Sequence, residues 1–429
     1  MLLRILIPLL LLLRFPAAPA ERDALAISAG IAARHLPHGT VLDPLFAGPA
    51  SNRITGYTRA GDSATWTGHY LAAEAFRYRA TRDPKALEQV KRALAGIRLL
   101  VDVTGTGLLA RCALPRNSPY GPGIHREEAH HGVHRSRIGT KAYTWLGNTS
   151  RDQYAGVFFG LGVAFDMVDD RQVRAEASDL VSRMLDFLLS HQWFVAMPGG
   201  GFSTTFTGRV DQQLTLLQIG RHLVPGKYEG EYTKLAAWAP VVSLPVWIES
   251  WNRYRSYHKF NIDALSFYHL LKLESDPRLC AQYKKAYEVL RATTRADGNP
   301  FFDCIDKALA GPDARRDDRI EGSLEAWLRR PRRDVLVDLR GEFPECDGRA
   351  CSPIPIERRI PTDFLWQRSP YQLRGNGKGL VEGAGIDYIL PYWMFRVLGV
   401  RGARTRACHV GTLADAWRGL NHALPSYAM

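Results

Sequence analysis

Three aspartates, Asp62, Asp152 and Asp211, each stand where a polar loop gives way to an apolar stretch long enough to be a buried helix. The residues around these junctions are alike in kind. Gly61-Asp62-Ser63-Ala64-Thr65-Trp66 has His69 and Tyr70 one turn on; Trp145 precedes Arg151-Asp152-Gln153-Tyr154; then come Arg209-Val210-Asp211-Gln212-Gln213, Tyr257-His258-Lys259-Phe260-Asn261 and Glu382 to Tyr388. Paired carboxylates cleave glycosidic bonds when one is protonated to assist the leaving oxygen and the other is ionised to attack or to activate water. Aromatic faces stack on sugar rings, and Arg or Gln holds hydroxyl or uronate groups. The catalytic candidates are therefore Asp152, Asp211 and Asp62. The substrate-binding candidates are Trp66, His69, Tyr70, Trp145, Arg151, Gln153, Tyr154, Gln212, His258 and Asn261. Aspartate before a helix is also a favoured N-cap, which competes with this reading at every single position. Three in equivalent places make a cleft role for at least one the expectation. Asp152 is the first choice, because Arg151 adjoins it and Gln153-Tyr154 add polar reach. A different chemistry stays open: Tyr70, His69, Tyr154 or His258 could move a proton beside a uronate carboxylate.

The segment from His125 to Tyr143 carries His125, Glu127, Glu128, His130, His131 and His134. It lacks a ligand-spacing motif such as HExxH, so the expectation is a solvated flap over the cleft, with neither metal nor cofactor. Six cysteines are too few and too dispersed for a disulfide scaffold. Cys346 and Cys351 flank a turn-like Asp-Gly-Arg-Ala and could pair in an oxidising compartment.

The elements that must position these residues recur as hairpins. Trp66 to Ala80 reads as a helix with few charges, broken at Arg82-Asp83-Pro84. Lys85 to Val101 follows with Leu87, Val90, Leu94, Ile97 and Leu100 on one face. Ala155 to Val168 is apolar all round apart from Asp166, with Gly156 and Gly160 spaced for close helix contact, and is expected to be the most buried helix. Arg171 to Ser190 is one-sided. Weaker copies are Gln212–Val224 with Tyr228–Trp238, and Asn261–Leu273 with Leu279–Thr293; Ile386–Leu398 would close the set. A dry helix followed by a half-wet one is the pattern of a double-layered ring. The expected fold is all-α, an (α/α)6-type toroid of five to seven hairpins with little strand and long loops at 111–148 and 296–381.

Concentric hairpins with carboxylates and aromatics at the inner-helix starts resemble the six-hairpin glycosidase superfamily, over residues 50–300 and 380–400. The resemblance is architectural and implies an enzyme acting on carbohydrate, a hydrolase before a lyase or sugar epimerase. A non-catalytic glycan- or partner-binding toroid is the alternative from another class.

Composition bounds the rest. The 429 residues are 46% hydrophobic and 23% charged, as in ordinary globular proteins. Residues 1–20 combine a basic start, a short apolar run and Ala18-Pro19-Ala20, the form of a cleavable export signal. The run is shorter than the about 20 residues a membrane span needs, so a soluble exported protein (periplasmic or secreted) is expected. The formal charge of +13 is scattered arginine, which argues for no nucleic-acid stripe. One toroid domain over 21–400 with a peripheral tail at 401–429 is the expected organisation. The sugar, the linkage and the oligomeric state are not legible.

Overall fold

The computed structural model describes residues 19–251, 257–346, 352–362, 364–399 and 408. Fourteen α-helices lie among them: α1 (Pro19–Gly30), α2 (Ser63–Thr81), α3 (Pro84–Asp102), α4 (Gly121–Glu127), α5 (Arg151–Met167), α6 (Arg171–Ser190), α7 (Val210–Leu223), α8 (Glu229–Ala236), α9 (Ser243–Ser250), α10 (His258–Leu273), α11 (Pro277–Thr294), α12 (Pro300–Ala310), α13 (Ala314–Leu328) and α14 (Ile386–Gly399). Strands are short. The main sheet has three antiparallel strands, Cys112–Pro115, Lys141–Leu146 and Val133–Ile138 in spatial order.

Local chemistry sets where the outer helices begin. Asp83 accepts from the Lys85 N–H ahead of α3, Asp170 from Val173 ahead of α6, Asp276 from Arg278 ahead of α11, and Asp313 from Arg316 ahead of α13. These caps satisfy donors that a first turn leaves orphaned, and Pro84 and Pro277 occupy positions that need no N–H.

Packing then closes a ring. Helix α2 lies on α5, α5 on α7, α7 on α10, α10 on α12 and α12 on α14, and α14 returns to α2. Outside them α3, α6, α8, α11 and α13 each follow and pack on the preceding inner helix, while α1 packs on α14. The protein is a mostly helical toroid of six inner helices, and its main core is a continuous apolar cluster running through both layers, with a smaller cluster that includes Leu42, Cys112 and Leu146 beside it. The tightest joint is α2 on α5. A Cβ on Gly68 would lie 2.1 Å from the Gly156 carbonyl oxygen, and one on Gly160 would lie 2.3 Å from the Gly68 carbonyl oxygen. Glycine at these positions lets two backbones touch.

Three expectations change. The stretch 296–381 is not one long loop: it holds the hairpin α12–α13, whose inner member is short and whose outer member is rich in charge. Helix α2, not α5, has the longest enclosed run, Ser63 to Arg77 against Gly156 to Ala164, because α3, α5 and α14 all pack on it. The 111–148 loop carries the three-stranded sheet and α4. Cys280 on α11 is bonded to Cys408, with Cα atoms 5.5 Å apart. Cys346 is also disulfide-bonded, whereas Cys351, most of the export-signal segment and nearly all of 401–429 lie outside the described residues. Among the described residues no helix is long and apolar enough to cross a membrane.

Candidate active site

The inner-helix starts bring two of the three aspartates together. Gln153, buried in the first turn of α5, donates from Nε2 to Asp62 Oδ1 at 3.2 Å and to Asp152 Oδ2 at 3.4 Å. Its Oε1 accepts from the Thr65 N–H at 3.0 Å, so one amide ties the mouth of α2 to that of α5. Neither Asp62 nor Asp152 caps its helix with its side chain. The cap chemistry that competed with a catalytic reading is realised at the outer helices instead.

Arg111 holds the floor of this pair. It donates to the Gly61 carbonyl at 2.8 Å, the Asn148 carbonyl at 2.9 Å and Ser150 Oγ at 2.6 Å, and its Nη1 stands 3.9 Å from Asp62 Oδ1. Gln367 donates to Asp62 Oδ2 at 3.4 Å. Burial, then the charge of Asp152, pushes the Asp62 carboxyl above its ordinary value, against the opposing pull of Arg111, Gln153 and Gln367. The Asp62 side chain is nonetheless 36% exposed, open enough to meet a ligand. His258 lies exposed at the start of α10. Surrounding protein lowers its pKa against the opposing charge of Asp152, which favours a neutral imidazole.

A segment that the sequence reading did not single out fills the centre of the mouth. Phe364 packs on Trp66 with ring centroids 4.3 Å apart, and Trp366 stacks on His69 at 5.4 Å. Asp387 at the start of α14 fixes this plug by accepting from the Leu365 N–H at 3.2 Å and pairing with Arg330 at 3.1 Å. Trp66 and His69 are consequently buried. His69 contacts Asn261 at 3.3 Å, and burial lowers its pKa to about 4. Both line the mouth beneath the plug, not the open surface.

Other candidates stand elsewhere. Asp211 is fully buried and gripped by Arg209, Nε to Oδ1 at 3.0 Å and Nη2 to Oδ2 at 2.7 Å. The same guanidinium reaches Glu249 at 2.6 Å and Asp263 at 3.0 Å, and burial with the charges of Glu249 and Asp211 pushes the Asp263 carboxyl well up. Asp211 is thus a member of a buried ion network that engages both of its carboxylate oxygens, which favours a structural role over the expected catalytic one. Tyr70 turns its hydroxyl outward to Gln89 on α3, and Tyr154 accepts from the Leu109 N–H, which removes both from the mouth. Trp145 stacks on His134 within the sheet at 4.2 Å. Gln212 is buried with neither side-chain polar atom hydrogen-bonded, beside a small void in the ring interior. Arg151 donates to the Thr205 carbonyl at 3.0 Å instead of gripping Asp152.

Sequence reasoning passed over Arg111 and Gln367. Arg111 sits in a loop dense in arginine, and nothing in its local pattern marks it as the cation that meets Asp62.

No protein-family model matches the chain, and no curated protein matches it. Among solved structures it is similar to the cellobiose 2-epimerase from Spirochaeta thermophila DSM 6192, with 12% identity, 88% of this chain and 97% of that chain covered, and a TM-score of 0.36. A likeness that weak bears on neither mechanism nor substrate.

Proposed function

We propose that this protein is an exported carbohydrate-active enzyme, a glycoside hydrolase in which Asp62 is the acid and Asp152 the nucleophile or base. The observation that carries the reading is the single Gln153 amide bridging two uncapped, solvent-reachable carboxylates. A nitrogen 3.2 Å from one oxygen and 3.4 Å from the other keeps the two no more than 6.6 Å apart, at or below the short end of the roughly 6.5–9.5 Å gap of an inverting pair, which favours a retaining mechanism. Asp62, its proton held more tightly than usual, protonates the glycosidic oxygen as the bond to the anomeric carbon breaks. Asp152 attacks that carbon; water then releases the sugar while the Asp62 carboxylate takes the water's proton. Arg111 keeps the pair oriented from below. Export is supported by the form of residues 1–20 and by the Cys280–Cys408 disulfide, since such bonds persist in oxidising compartments.

The test is turnover of neutral and uronate-containing oligosaccharides by Asp62→Asn and Asp152→Asn. General acid–base catalysis is worth about 100- to 10,000-fold, and both variants should lose activity in that range with the fold intact. Full activity in both refutes the carboxylate mechanism. His258 favours a second reading, a lyase or epimerase, because it is exposed at the start of α10, near enough to feel the charge of Asp152, and its lowered pKa favours the neutral form that can accept a proton. Activity surviving both amide variants but lost in His258→Ala would select it.

A further inference from the structure

The histidine-rich loop contains a group that the carboxylate mechanism does not use. A tight 3₁₀ turn, Ala129–His131, follows Glu128, and side chains three apart eclipse in that geometry. Glu128 and His131 therefore stand together over Gly61. Glu128 Oε1 accepts from the Gly61 N–H at 3.0 Å, which leaves Oε2 free, and His131 Nε2 lies 3.4 Å from that Oε2. A Cβ on Gly61 would come within 2.8 Å of both atoms, so both aim into the same space. The ring of His130 packs against that of His131 with centroids 3.9 Å apart, and one donor atom from each of the three residues falls within 4.8 Å of the others.

The remaining histidines of the loop are already engaged. His125 bonds to Thr144 Oγ1 at 2.9 Å and His134 stacks on Trp145. Among the described residues neither His130 nor His131 has a hydrogen bond to its ring nitrogens. Charge is unbalanced in the same place: Asp62, Asp152 and Glu128 all act on the single guanidinium of Arg111.

We propose that Glu128, His130 and His131 bind a divalent transition-metal cation at the rim of the ring mouth. Two imidazoles and one carboxylate suit zinc, iron, nickel or copper better than magnesium or calcium. With metal–ligand bonds near 2.0–2.2 Å, a tetrahedral ion spaces its ligands by about 3.4 Å, the separation of His131 and Glu128 already in place. The exposed His130 ring needs only a turn about its side-chain bonds to close the third contact. The Gly61 N–H orients the carboxylate, as outer partners of metal ligands do. Three protein ligands leave a position for water or a sugar hydroxyl beside Asp62. This replaces the metal-free flap expected from the sequence.

Zinc binding by the metal-stripped full chain tests the site without any sugar, so its outcome is independent of the hydrolase reading. Isothermal titration with Zn²⁺ should show one equivalent on the wild type. Loss of an outer partner alone costs about 10–100-fold in metal affinity, so His131→Ala and Glu128→Gln should weaken binding by about 100-fold or more. His130→Ala, an exposed substitution that leaves the fold unaltered, should weaken it as well, and His125→Ala should not. Absence of zinc binding to the wild type would overturn the proposal. So would affinity unchanged in both His130→Ala and His131→Ala, or a loss in His125→Ala as large as theirs.

Discussion

Alanine at Gly160 should destabilise this protein, whereas alanine at Gly322 should stabilise it, although both glycines lie inside helices. Glycine in a helix interior costs roughly 0.5–1 kcal/mol relative to alanine through backbone entropy, so each substitution begins with that gain. At Gly322 on α13 nothing lies within 4 Å of the added carbon, and the whole gain should appear. At Gly160 the added carbon would lie 2.3 Å from the Gly68 carbonyl oxygen, 2.8 Å from its carbonyl carbon and 2.9 Å from its Cα. All three are backbone, so no side chain can rotate away and α2 must move from α5 by about an ångström. Overpacking typically costs about 1–3 kcal/mol, and this contact belongs at the upper end, which leaves a net loss of about 2 kcal/mol. Both variants can be read in one thermal or urea series against the wild type. The same sign for the two would refute the claim that backbone contact closes this joint. The shift would also reach function: Asp62 and Gln153 sit at the mouth ends of the two helices, so kcat should fall in Gly160→Ala and be unchanged in Gly322→Ala.

Other outcomes follow from the charges. Asp211→Asn weakens a buried network in which Arg209 keeps Glu249 and Asp263, and should cost about 1–3 kcal/mol in chemical denaturation, while Asp152→Asn should cost little stability and most of the activity. Asp166 pairs with His222 and Lys272, each at 2.7 Å, and its carboxyl is held well below its ordinary value, burial opposing and Lys272 and His222 prevailing. Its stabilisation is therefore complete above the unfolded value of 3.8 and is lost as pH falls through the depressed one. Asp166→Asn should accordingly flatten the acid limb of a stability–pH curve. Asp62 has the opposite sign: its raised pKa means the folded state binds the proton more tightly, so this group favours folding most below 3.8 and less as pH climbs to the raised value. As the acid it should also set the alkaline limb of the kcat/KM profile, a limb absent in any residual activity of Asp62→Asn. Cys280→Ser opens a loop spanning 128 residues and should cost about 2–4 kcal/mol, read as a lowered Tm under non-reducing conditions.

The hairpins α2–α3, α5–α6, α7–α8 and α10–α11 were legible because each joins a dry helix to a one-sided one across a break such as Asp83-Pro84 or Asp276-Pro277. Helix α12 was not. Its eleven residues are too few for a clear helical period, and α13 after it is so charged that the pair reads as loop. Helix α1 was hidden for another reason: it starts inside the segment whose composition reads as an export signal.

The site shows where linear pattern stops being enough. Asp62, Asp152 and Asp211 occupy equivalent places in the repeat, and equivalence alone makes them equal candidates. What separates them is the origin of the nearest cation. Arg209 stands two residues before Asp211, close enough to fold back and take both carboxylate oxygens, which consumes that acid. Arg151 adjoins Asp152 yet points to the Thr205 carbonyl, because neighbours at a helix start project in different directions. The cation that serves Asp62 and Asp152 comes instead from Arg111, the residue that leads into a sheet whose pairing no local pattern discloses. An arginine tied to two backbone carbonyls and a hydroxyl, and only at 3.9 Å from a carboxylate, orients that acid without neutralising it. That difference in engagement, and not position in the repeat, is what leaves Asp62 without a close ion pair and takes up both carboxylate oxygens of Asp211.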